Sequence, residues 1–311
     1  MSNNKLNIIK GNPLPDNPDK IDKSKSVHLG RFPSWLHYRI PEGGKFFKTS
    51  ETIAKYGLNT VCEEAKCPNR LECYSKKTAT FLALGKQCSR ACSFCDIDFS
   101  KTPKAPESDE PQRIALSIKE LGLKHAVITM VARDDLIDGG ATHIAAIIRE
   151  IRLENPKTTI EVLTSDFQGN FDALDSVLSE KPEIFNHNIE TVRSLTPKIR
   201  HKATYERSLQ VLSYVKAQNK CSYIKSGIMV GLGETEEEMK ETIQDLYQAG
   251  CDIITIGHYL QPNRHKLAVK SFVSPDQFKE YETYGLFIGV KHMYCGPFVR
   301  SSYNAHMPSS C

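Results

Sequence analysis

Six of the ten cysteines in this 311-residue chain fall between positions 62 and 95, in two groups of three. The first is Cys62-x4-Cys67-x5-Cys73, within NTVCEEAKCPNRLECYS; the second is Cys88-x3-Cys92-x2-Cys95, within GKQCSRACSFCDI. Thiolates at such short intervals converge on one metal centre when the backbone between them turns back on itself. Cysteine is the usual ligand of iron–sulfur clusters, whose type follows ligand count and spacing. Two groups of three predict two centres, each with one metal position that cysteine leaves open. An open iron position is where a ligand can exchange and chemistry can begin.

Disulfides and zinc are the competing uses of these thiols. The chain is long, clusters its thiols locally and carries no secretory signal, which argues against a disulfide framework. Zinc also takes thiolates, usually four of them in paired two-residue spacings. The three-then-two spacing of Cys88, Cys92 and Cys95 does not match that pattern, so zinc is the runner-up metal. Cys221, Cys251 and Cys295 stand alone and read as packed thiols, and Cys311 as a free terminus. His187, His258 and His265 lie in separate stretches without ligand spacing and are assigned no metal.

A hydrophobic fraction of 40% over this length allows a sizeable core. A net charge of +4 is too mild to imply nucleic acid. No run of eighteen apolar residues suits a membrane span. The first twenty residues have neither an apolar signal core nor an arginine-rich amphipathic pattern, which predicts a cytoplasmic protein.

The elements that must position the thiols follow a βα rhythm. Residues 1–30, with Pro13, Pro15 and Pro18, read as an extended polar arm. Residues 31–78 form an N-terminal extension with a helix over Lys48–Tyr56 and Trp35 as a packing anchor. From residue 79 to 290, short β-branched runs alternate with helical periodicity. Strands are expected at Ala79–Leu84, His125–Val131, Thr159–Leu163, Glu183–Phe185, Tyr223–Val230 and Asp252–Ile256. Helices are expected at Glu110–Leu121, Gly140–Leu153, Phe171–Leu178, Tyr205–Ala217, Glu236–Ala249 and Pro275–Phe287, with residues 291–311 as a C-terminal segment. Six strands predict an α/β fold built as a partial (β/α)6 barrel, its mouth covered by the two extensions; an open doubly wound sheet is the second choice. In barrels of this kind reactive groups sit on the loops after the strands. The polar stretches fall there: the second cysteine triplet, ARDDLIDGG, SDFQGN, NHNIET, GLGET and GHYLQPNRHK.

C-x3-C-x2-C after a first barrel strand resembles the signature of radical S-adenosylmethionine enzymes. That resemblance implies a 4Fe–4S cluster on Cys88, Cys92 and Cys95, with the fourth iron free for the methionyl amine and carboxylate. The preceding C-x4-C-x5-C narrows the likeness to the lipoyl synthase family, carried by VCEEAKCPN, ATFLALGKQCSRACSFCDI, RDDLIDGGATH, FNHNIETV, KSGIMVGLGET, YLQP and VRSSY across residues 30–306. The family resemblance implies a second, auxiliary 4Fe–4S cluster on Cys62, Cys67 and Cys73, with Ser302 of the Arg-Ser-Ser-Tyr segment as an unusual fourth ligand. It also implies a sulfurtransferase that places sulfur at C6 and C8 of an octanoyl-lysine, using the auxiliary cluster as donor. The partners it implies are octanoylated carrier domains (2-oxoacid dehydrogenase E2 lipoyl domains and the glycine cleavage H protein), a flavodoxin or ferredoxin reductant, and a cluster-repair carrier.

Arg133, Asp134, Asn186, Asn188 and Glu190 are candidates to hold S-adenosylmethionine, since carboxylates and amides suit an amine and a ribose diol. Each could equally tie loops together. Gly231 and Gly233 would allow a close approach of the cofactor, although a glycine turn between strand and helix needs no ligand. The chain departs from the family pattern at Met130, Ala132, Gln168, His258 and Asn304, all cluster ligands being kept. Two other activities compete: methylthiolation or sulfur insertion into a free small molecule, and a non-catalytic zinc or iron–sulfur module.

Overall fold

The computed structural model describes residues 33–37 and 45–302. The predicted arm over residues 1–30, Asn304 and Cys311 lie outside them. Helices α1 (Lys45–Lys55), α2 (Val61–Glu64) and α3 (Arg70–Ser75) precede strand β1 (Thr80–Ala83). A small ladder of β2 (Gln87–Cys88) and β3 (Asp98–Phe99) then encloses the second cysteine triplet. Units of strand and helix follow: α4 (Glu110–Leu121), β4 (His125–Met130), α5 (Ala141–Glu154), β5 (Thr159–Leu163), α6 (Phe171–Leu178) and β6 (Ile184–Asn186). The chain ends through α7 (Thr196–Ile199), α8 (Tyr205–Gln218), β7 (Tyr223–Val230), α9 (Glu236–Gln248), β8 (Ile253–His258), α10 (Pro275–Ile288) and β9 (His292–Gly296).

Seven strands make one all-parallel sheet in the order β1-β4-β5-β6-β7-β8-β9, and its outer strands do not pair. The result is a partial barrel, as the sequence predicts, with one strand more than expected. The six expected strands are found within two residues of their predicted ends. The seventh, β9, reads HMYCG and lacks an alternating β-branched pattern. It is a strand because it pairs with β8 from Ile253↔His292 to Gly257↔Gly296, so the sheet continues to Gly296.

The helices start and stop where local chemistry requires. Thr235 and Glu238 form a reciprocal capping box on α9, behind three glutamates that suit the positive helix end. Gly122 ends α4 in the left-handed conformation at φ 67°, which costs glycine little. Ile114, Ile118 and Leu121 of α4 are buried in the core, each contributing about 1.5–3 kcal/mol of apolar burial. Trp35 is not the packing anchor expected: it keeps 39% of its surface exposed while Leu36, in the same short turn, is buried.

Polar groups also occupy the interior and are paired there. Glu161 on β5 and Lys225 on β7 are buried, with Lys225 Nζ 3.0 and 3.1 Å from the two carboxylate oxygens. Asn186 Nδ2 donates to the same carboxylate at 2.9 Å. Burial works to raise the Glu161 pKa, but Lys225, His125 and Asn186 hold it below the ordinary value. A second chain of bonds fixes the turn after β6. Arg200 Nη1 donates to Ser208 Oγ at 2.8 Å, Ser208 donates to His187 Nε2 at 3.0 Å, and His187 Nδ1 donates to Thr164 O at 2.9 Å. This arrangement suits a neutral imidazole, and burial pushes the His187 pKa down to about 4.

Two outcomes follow. Lys225→Met leaves a buried carboxylate without its cation and should cost about 3–5 kcal/mol, measured by urea unfolding. The folded pKa of His187 lies below the unfolded value, so an unfolded chain takes up the proton first. The contribution is fully present above pH 6.5 and is lost as pH falls toward about 4. In the cluster-free chain this part of the acid slope, worth about 3 kcal/mol, should flatten in His187→Asn.

Candidate functional site

Because all seven strands are parallel, every strand-to-helix loop leaves the same edge of the sheet, and the second cysteine triplet sits on the first of them. Its backbone is held from several sides. Ser89 N and Ser89 Oγ both donate to Ala132 O at 2.9 Å, and Ser89 Oγ accepts from Asp134 N. Ala91 N donates to His201 Nδ1 at 3.0 Å, Ser93 N to Ile199 O, and Leu267 N to Ser93 O. Ser100 N donates to Cys88 O at 2.9 Å and closes the loop. The loops after β4, β6 and β8 therefore grip one short segment.

Arg90, between Cys88 and Cys92, supplies the charge. Its guanidinium is buried, takes both oxygens of Asp134 at 2.7–3.1 Å, and reaches Asp166 Oδ1 at 2.6 Å. Arg207 and Lys202 reach the same carboxylates at 3.3 and 3.6 Å. Burial opposes the Asp166 charge, but Arg90 wins and brings its pKa to about 2. Two backbone amides point at sulfur: Arg90 N lies 3.4 Å from Cys88 Sγ, and His201 N lies 3.4 Å from Cys92 Sγ. At Cys92 burial raises the pKa, and the His201 N–H works against that rise.

The first triplet is docked alongside β1, an outer strand of the sheet. Thr60 bridges antiparallel to Phe81 of β1, and Leu82 N donates to Asn59 O at 2.9 Å. Thr60 caps α2 through its hydroxyl and also bonds the buried Tyr74 hydroxyl at 2.8 Å. Cys62 thus lies in α2, Cys67 after it with its N–H on Cys62 O, and Cys73 in α3. The C-terminal segment runs past this group. Asn69 Nδ2 donates to Phe298 O at 2.7 Å, and a Cβ on Gly257 would stand 1.9 Å from Val299 O. Burial lowers the Arg300 pKa, and a thiolate at Cys67 works against that fall. Ser302 lies in a half-buried turn two residues further on.

Both triplets fit a multi-iron group. The described cysteines are free of disulfides. Burial pushes Cys62, Cys73 and Cys95 up to about 12, and the neighbouring thiols of the same triplet add to each rise. Iron would relieve that repulsion and release protons. Among the described residues no three His, Cys, Asp or Glu groups gather closely enough for a single metal ion.

The expected cofactor contacts divide. Glu190 has a left-handed backbone at φ 68°, held by Glu190 N to Gly227 O at 3.0 Å and Met229 N to Glu190 O at 2.8 Å. Burial raises its pKa against Arg200 and Asn188, and its charge is felt at Cys92 and Cys95. Asn188 Oδ1 is buried without a hydrogen-bond partner. Gly227 makes room for it, since a Cβ there would lie 2.8 Å away. Asn186 is on β6 itself, its amide donating to Glu161, with Oδ1 unpartnered. Arg133 is buried on Asp135 at 2.8–3.2 Å, and Asp134 is occupied by Arg90. Gly231 and Leu232 donate their N–H groups to Glu234, at 2.5 and 2.9 Å. Gly231 has φ 94°, and its Cβ would come within 2.7 Å of His258, which is itself wedged between Tyr259 O and Ser271 O. Arg90, Asp166, Arg200 and His201 were not expected. Arg90 lay inside the cysteine signature, but nothing in the chain marks Asp166, 76 residues later, as its partner.

Known proteins match this chain in family and in fold. Residues 82–246 match the Radical SAM superfamily, and residues 9–67 match the N-terminal domain of lipoyl synthase of the Radical SAM family. The lipoyl synthase of Protochlamydia amoebophila is 64% identical over 95% of this chain and 92% of its own length. That of Chlamydia muridarum is 52% identical, covering 94% of each. Among solved structures the fold resembles Streptococcus suis SuiB bound to S-adenosylmethionine, with a TM-score of 0.56 at 14% identity over 69% of this chain and 49% of that one. It also resembles methylornithine synthase, with a TM-score of 0.51 at 13% identity over 68% and 69%. With both family models matched and relatives of such identity along nearly the whole length, the chain belongs to the lipoyl synthase family of radical S-adenosylmethionine enzymes.

Proposed function

We propose that this chain is a lipoyl synthase that inserts sulfur at C6 and C8 of an octanoyl group borne by a lysine of a lipoyl carrier domain. Cys88, Cys92 and Cys95 would hold the radical cluster; Cys62, Cys67, Cys73 and Ser302 would hold the auxiliary one. The observation that supports this most is that the segment of the first triplet is joined both to the loop of the second, through Lys66 and Asp96, and to the segment leading to Ser302, through Asn69 and Phe298. When bound, the radical cluster with S-adenosylmethionine supplies hydrogen abstraction, and the auxiliary cluster supplies sulfur.

The chain's own residues position, orient and exclude. Arg90, clamped by Asp134 and Asp166, holds the radical loop in one shape before anything binds. Asn188 and Glu190 offer an unpaired amide oxygen and a carboxylate to an amine or a ribose diol. Asn186, Arg133 and Asp134 support that wall from behind, and the turn at Gly231 and Gly233 shapes its rim. Carrier partners would be E2 lipoyl domains and the glycine cleavage H protein, with a flavodoxin or ferredoxin as reductant and a separate carrier to rebuild the auxiliary cluster. Among the described residues no helix is long and apolar enough to cross a membrane; a cytoplasmic site of action suits the reduced thiols.

Ser302→Ala should still cleave S-adenosylmethionine but lose at least about tenfold in lipoyl product, as loss of a metal contact typically does. Product mass on an octanoylated carrier measures this, and full lipoyl formation would overturn the serine assignment. Gly257→Ala tests the path of the same segment with the serine intact. Its methyl group would meet Val299 O, so trypsin should cut faster after Arg300 and lipoyl formation should fall in parallel.

A further inference from the structure

The two triplets lie in different parts of the chain, and one set of side chains ties their loops together directly. Lys66 immediately precedes Cys67, and Asp96 immediately follows Cys95. Lys66 Nζ stands 2.7 Å from Asp96 Oδ2. The other oxygen, Asp96 Oδ1, accepts from Asn263 Nδ2 in the loop after β8. Asn263 is itself oriented, because its Oδ1 accepts from His265 N at 2.8 Å. Three loops therefore meet on one carboxylate, which is 8% exposed in its side chain.

The backbone is bent to make this possible. Lys66 has φ 49°, the left-handed region that a lysine rarely enters. Its N–H bonds Glu63 O at 3.1 Å and ends α2 there. A glycine or asparagine would end a helix this way more easily. Lys66 is 60% exposed, and an ion pair so wetted adds little to global stability. What it supplies is a fixed distance between neighbouring loops.

We propose that Lys66, Asp96 and Asn263 form a clasp that holds the two cysteine triplets at a working separation. They are positioning residues, acting through the loops that carry the clusters. The inference rests on the reading of those triplets as two cluster sites. An enzyme that removes hydrogen at one centre and draws sulfur from the other depends on that separation, because a displacement of about 1 Å can cost orders of magnitude in rate.

The test uses the full-length chain in two measurements. A zero-length carbodiimide, which joins an amine to a carboxylate in contact, should couple Lys66 to Asp96 and give the peptide that joins those two residues, identified by mass spectrometry. Reconstituted Lys66→Ala should retain the wild-type iron, about eight per chain for two cubes, together with matching sulfide, and should still form 5′-deoxyadenosine. Its 5′-deoxyadenosine made per lipoyl group should rise about threefold or more, because the reacting centres no longer keep register. Lys66→Arg, which keeps the charge, should restore the wild-type ratio. No cross-link, an unchanged ratio in Lys66→Ala, iron lost from that variant, or failure of Lys66→Arg to rescue would each overturn the clasp. Failure of the underlying functional reading would appear instead in the wild type, as iron for fewer than two clusters or absence of lipoyl product.

Discussion

Seven strands running in one direction impose the main constraint on this molecule. A parallel sheet sends every strand-to-helix loop to the same edge and every helix-to-strand return to the other. Residues far apart in the chain, such as Arg90, Asp134, Asp166 and Glu190, therefore share one rim. The N-terminal extension pairs Thr60 with Phe81 along the side of β1 and reaches the rim through Lys66 on Asp96, and the C-terminal segment crosses the glycine at 257 on β8. Reactive groups are brought together by strand direction, without any need for them to be close in sequence.

The loops at the rim have little secondary structure of their own, so side chains must hold them. Arg90 faces two carboxylates in a buried setting, where a guanidinium fork gains most from bidentate pairing. The same economy of partners recurs around His187, where a serine links an arginine to a neutral imidazole. Such a frame keeps the thiols in a narrow range of geometries before metal arrives, which lowers the ordering cost of binding. Burial and mutual repulsion favour the thiol form of Cys62, Cys73 and Cys95.

Not every polar residue at the rim is available to a ligand. Arg133 and Asp134 are already paired with Asp135 and Arg90. Asn188 differs, because its amide oxygen is buried and unmatched, an arrangement that costs free energy unless something else completes it. Glu190 carries the added cost of a left-handed backbone, kept by two bonds to β7. Strain and an unmet hydrogen bond thus lie two residues apart in the loop after β6.

The chain's local pattern was enough to determine the two thiol triplets, the βα rhythm, six of the seven sheet strands and the loops that bear chemistry. Those features depend on short-range spacing: ligand intervals, alternation, and caps such as Thr235 with Glu238. Strand β9 was invisible because HMYCG has no intrinsic strand pattern and becomes one only by pairing with β8. Trp35 misled for the converse reason, since a large apolar ring says nothing about which side of a turn faces the core. The partners of Arg90 and Asp96 were equally hidden, for ion pairing follows distance in space and leaves no periodic trace. Residue types and intervals decided which chemistry the chain could support; the direction of its strands decided which of those residues meet.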